Sequence, residues 1–143
     1  MLTDAAGASI VTAGLTGIPV LVTPVTSTTV PSVSKDAGTV TKAVVKASSG
    51  NVFSVLVTNT NSAIRYLQLH NKATAPAGTD TAQLYFTIPA GTAVQPAVVE
   101  LNSDFFAPSE RFATGIGWAI STTATTFTDS ATASEHTIQV RYL

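Results

Sequence analysis

From about Val40 to the C-terminus, apolar and polar positions alternate with a period of two, the pattern of strands buried on one face. TAQLYFTI (81–88) sets Ala82, Leu84, Phe86 and Ile88 against Gln83, Tyr85 and Thr87. HTIQVRYL (136–143) sets His136, Ile138, Val140 and Tyr142 against Thr137, Gln139 and Arg141. IRYLQLH (64–70) sets Ile64, Tyr66, Gln68 and His70 against Arg65, Leu67 and Leu69. VTKAVVKA (40–47) and VFSVLVT (52–58), separated by the turn signal SSGN, predict a hairpin, and PAVVEL (96–101) follows the turn PAGT. FATGIGWAIS (112–121) has Phe112, Ile116, Trp118 and Ile120 on one face and Ala113, Gly115, Gly117 and Ala119 on the other. That small face predicts close approach of another backbone or of an aromatic ring such as Tyr66 or Phe53.

These segments amount to about seven short strands with turn signals between them and no helical period. The fold class expected is all-β: a single antiparallel β-sandwich, jelly-roll-like, over residues 38–143. Its expected core is Phe53, Val55, Leu67, Leu69, Leu84, Phe86, Phe112, Trp118, Ile138 and Val140.

The N-terminal part reads differently. Before Lys35 the only charged residue is Asp4, and IVTAGLTGIPVLVTPVTSTTVPSVS is β-branched sequence punctuated by Pro19, Pro24 and Pro31. Proline fixes φ and removes a backbone donor, so neither a long helix nor a central strand is expected there. Residues 1–37 are read as an extended interaction arm. Ordering such an arm costs more than burying its apolar side chains returns, so it needs a neighbouring edge or groove to order against. The candidate partner-binding residues are Ile10, Val11, Leu15, Ile18, Val20, Leu21, Val22, Val25, Val30 and Val33.

Composition narrows the functional classes. Only 10% of the 143 residues are charged, against about 25% in ordinary globular proteins. Mean hydropathy is +0.33, a value suited to a surface that touches other protein. A net charge of −1 lacks the basic footprint of a nucleic-acid binder. No apolar run reaches the roughly 20 residues of a membrane span, and the N-terminus, with Asp4 and no Lys or Arg, makes a poor signal peptide. With no cysteine, disulfides and thiolate metal sites are excluded.

Candidate chemistry is sparse. His70 and His136 are the two histidines, and no nucleophile or orienting acid stands at a recognisable spacing from either. The carboxylates Asp104, Glu110, Asp129 and Glu135 fall in loops or at strand ends, where acids are ordinarily solvated. TGIGWA lacks the third glycine and the following helix of a phosphate loop. The expectation is a non-enzymatic protein with no catalytic residues, no cofactor and no metal.

Six segments carry a resemblance: RYLQLHN (65–71), ATAPAGT (73–79), LYFTIPA (84–90), RFATGI (111–116), the Ser/Thr-rich 121–126 and HTIQVRYL (136–143). Together they resemble small virion structural proteins of tailed bacteriophages, over about two-thirds of the chain and leaving out the arm. The resemblance implies a β-sandwich on the outside of a virion. The leading expectation is a capsid decoration (cement) protein, made in the host cytoplasm and bound to the head through its arm. Its expected partners are the major capsid protein or other virion proteins, with a homotrimer favoured. The alternatives are a tail- or fibre-associated module binding a host glycan and, third, a small hydrolase of cell-surface polysaccharide.

Overall fold

The computed structural model describes residues 30–143 except Pro108 and Ala131. They form two antiparallel sheets that share one core. In chain order the strands are β1 (Ser32–Asp36), β2 (Lys42–Lys46), β3 (Gly50–Asn59), β4 (Arg65–Asn71), β5 (Leu84–Ile88), β6 (Ala97–Leu101), β7 (Glu110–Phe112), β8 (Ile116–Ser121) and β9 (His136–Tyr142). A single helical turn, α1 (Ser103–Phe106), follows β6, and a 3₁₀ turn, Ala133–Glu135, precedes β9.

One sheet has the order β1-β9-β3-β6, with β7 pairing the start of β3, and the other the order β2-β8-β4-β5. With β7 set aside, the chain changes sheet at every step except β4 to β5. Each sheet therefore interleaves early and late strands, which is the connectivity of a jelly roll. The expected all-β sandwich is the observed fold.

The alternation explains the core. Val55, Val57, Ile138 and Val140 from one sheet meet Leu67, Leu69, Ile116, Trp118 and Ile120 from the other, and Phe112 and Phe106 close one side. Of the expected core, Leu84 and Phe86 are only half-buried, because β5 is the edge of its sheet. Phe53 is half-buried as well. The register of β3 shifts between Val52 and Ser54, and Val52 takes the buried position instead.

Three expectations are corrected. The segments 40–47 and 52–58 do not form a hairpin: β2 pairs with β8 and β3 with β9, in different sheets. The SSGN turn is a crossing, and Asn51 exchanges backbone hydrogen bonds with Leu143 at 2.9 and 3.0 Å. Residues 112–121 are not one strand, since Phe112 belongs to β7 in one sheet and Ile116–Ser121 to β8 in the other. Residues 32–36, placed within the 1–37 arm, form β1 along the C-terminal five residues of β9, from Ser32 opposite Tyr142 to Asp36 opposite Ile138.

Candidate interaction surfaces

The two sheets differ in what lies on their outer faces. On β4, Leu67 and Leu69 face the core, so Gln68 and His70 project outward, yet both are 0% exposed. Two loops, 72–83 and 122–130, fold across them. The Gln68 carboxamide donates to the carbonyls of Thr123 (2.9 Å) and Ala124 (2.8 Å), with that of Thr126 at 3.2 Å. Its oxygen lies 3.1 Å from His70 Nε2. A carboxamide oxygen only accepts, so His70 carries its proton on Nε2. Nδ1 lies against the Thr81 backbone without a hydrogen bond of ordinary geometry.

The loops are also tied to each other. Phe127 N–H donates to the Asp80 carbonyl (2.8 Å) and Ala82 N–H to the Thr125 carbonyl (2.9 Å). Lys72 Nζ bonds Asp80 Oδ2, which also accepts the Ala77 N–H at 2.7 Å. The Phe127 ring is buried, with the His70 ring edge-on at 6.5 Å between centroids and the Lys42 ammonium 4.8 Å above it. Neither Tyr66 nor Phe53 covers the small face of 112–121. A Cβ on Gly115 would stand 2.6 Å from the Lys72 carbonyl oxygen, and one on Gly117 would stand 3.4 Å from the Pro76 ring. The 72–83 loop fills that space, with its backbone over Gly115 and the Pro76 ring over Gly117.

Burial lowers the pKa of His70; the Asp80 carboxylate opposes this and the Lys72 ammonium reinforces it. Burial likewise lowers that of His136, against the Thr132 carbonyl that its Nδ1 meets at 3.1 Å. The two rings stand on strands of different sheets. Among the described residues no group of three or more His, Cys, Asp or Glu side chains could hold a metal ion. The four carboxylates singled out in loops stay apart. Glu110 accepts from Gln83 and Glu135 from Asn61, while Asp129 sits 3.7 Å from Lys42. Asp104 lies on α1.

No loop among the described residues crosses the outer face of the β1-β9-β3-β6 sheet. Register places Lys35, Gln139, Leu56 and Glu100 side by side across the four strands. Thr137, Thr58 and Val98 form the next row, and Val33, Arg141 and Ser54 a third. Leu56 is 38% exposed and Val98 60%. Two shallow depressions, of about 220 and 170 Å³, flank the Leu56–Gln139 pair. The pattern at 136–142 already turned Gln139 and Arg141 outward, but nothing in the apolar run VFSVLVT marks Leu56 as exposed. Of the candidate arm residues, Val30 is exposed just before β1 and Val33 lies on β1. Ile10, Val11, Leu15, Ile18, Val20, Leu21, Val22 and Val25 lie outside the described residues.

The chain matches no protein-family model, no curated protein and no solved structure.

Proposed function

We propose that the chain is a non-enzymatic structural protein of a bacteriophage virion, a decoration protein held on the outside of the head through the apolar segment that precedes β1. The observation that carries the reading is the position of β1. It is an edge strand, bonded on one side to β9, and the apolar segment runs directly into it. A segment of 29 residues, extended, reaches up to about 100 Å. It can therefore leave the sandwich and add to a strand edge of a neighbouring subunit, where main-chain hydrogen bonds supply affinity. Jelly rolls are common among viral capsid domains, which supports the reading by analogy of fold alone. The partner is the major capsid protein or another virion protein, and a homotrimer is the favoured assembly.

The deletion that tests this stops at residue 29, because β1 belongs to the sandwich. The expected product is folded, melts cooperatively and no longer binds particles. A truncated protein that decorates particles at full occupancy would put the binding surface on the sandwich and end the arm mechanism. Copy number on purified virions separates head from tail: hundreds support decoration, and a few to a few dozen favour a tail or fibre module.

A further inference from the structure

We infer that the open face of the β1-β9-β3-β6 sheet is a two-fold pairing surface for a second copy of this chain. The inference rests on the register of that face and holds whatever the protein decorates. Its central row carries a cation at one end, Lys35, and an anion at the other, Glu100, with Gln139 and Leu56 between them. Lys35, Glu100 and Arg141 have no ion-pair partner among the described residues.

Two copies can stack this face on itself about two axes in the interface plane. An axis across the strands lays β1 on β1, so Lys35 meets Lys35 and Glu100 meets Glu100, and like charges oppose the pairing. An axis along the strands reverses the strand order and keeps each row level. Lys35 then faces Glu100 of the second copy, and Glu100 faces its Lys35. Gln139 lies under Leu56 of the second copy, beside the depressions that flank it. In the next row Thr137 faces Thr58. In the third row Arg141 faces Ser54, and the central row is thus self-complementary about one axis and self-repelling about the other, which fixes the pairing geometry.

Strand spacing of about 4.8 Å and a repeat of about 6.8 Å between outward residues give these three rows a patch of about 330 Å² per copy, the size of a weak, reversible interface. Pairing is therefore expected at protein concentrations on the order of 1 mM, or where copies are anchored side by side.

Sedimentation equilibrium of the full chain, from about 10 µM to 1 mM at low salt, tests the inference. The expected result is a concentration-dependent doubling of whatever mass persists at the lowest concentration. Lys35→Glu alone, or Glu100→Lys alone, weakens the doubling at least about tenfold, and the two changes in one chain restore it. Leu56→Asp abolishes it. All four variants lie on an exposed face, and circular dichroism checks that each is folded. A single mass throughout the range, singles that associate like the parent, or a folded double variant that fails to recover would each overturn the inference.

Discussion

Gln68 and His70 alternate with core leucines and point away from the core, yet they are shut off from water by two loops that Gln68 holds. Gln68→Leu keeps the side-chain size, removes the donor to the Thr123 and Ala124 carbonyls and leaves the buried His70 Nε2–H without its acceptor. A buried group losing its partner costs about 1–3 kcal/mol. Urea unfolding should show that loss, with faster proteolysis within 122–128. The histidines set a pH dependence. Both have folded pKa values below the ordinary 6.5, so between the folded value and 6.5 the unfolded chain binds more protons. Their contribution is complete above pH 6.5 and is lost as pH falls through the folded pKa values. Asp36 and Asp80, held below 3.8, extend the loss further into acid. The urea midpoint should therefore be flat above pH 7 and fall below 6.5. His70→Gln should shallow that fall, and an unchanged slope would show that His70 does not contribute to it.

The elements are closed by backbone approaches that no side chain can occupy. Gly38, at φ +85°, turns the chain from β1 towards β2 while Asp36 Oδ1 accepts the N–H groups of Gly38 and Thr39 at 2.9 Å each. A Cβ there would meet the His136 carbonyl at 2.9 Å as well as the left-handed strain. Gly115 separates β7 from β8 beneath the Lys72 carbonyl, so Gly115→Ala must displace the 72–83 loop. Both substitutions should lower the melting temperature, and only Gly115→Ala should loosen the loop to proteases. Phe127, the one aromatic in the Thr/Ala/Ser stretch 121–135, seals the same loops. Its truncation to alanine is expected to cost about 3–5 kcal/mol, as for other buried aromatics. The small face of 112–121 signalled this close approach in the sequence, but the covering element stands about 40 residues earlier in the chain, beyond any local pattern.

For the whole molecule, the sandwich over 30–143 holds the entire described core, so it should fold without residues 1–29. Trp118→Ala, opening the centre where Trp118 lies opposite Leu69, is expected to cost about 3–5 kcal/mol. A parental urea midpoint would show that Trp118 is not the keystone of the packing. Far-UV circular dichroism should show less than about 20% helix, since α1 and one 3₁₀ turn are the only helical elements among the described residues.

The alternation of Leu67 and Leu69 with Gln68 and His70, and of Ile138 and Val140 with Gln139 and Arg141, determined the strands and their inward faces. Side-chain period is a local property and is written in adjacent residues. Partner choice is not local. A strand with one apolar face can pair with any edge that shares its sheet, so 40–47 and 52–58 read as a hairpin and were drawn into opposite sheets by β8 and β9, some 70 to 90 residues away. Exposure of the outward faces was decided in the same way. Gln68 and Gln139 carry the same side chain on the same side of a strand. Loops crossing one sheet bury the first, whereas no loop among the described residues crosses the other, where the second is half-buried beside Leu56.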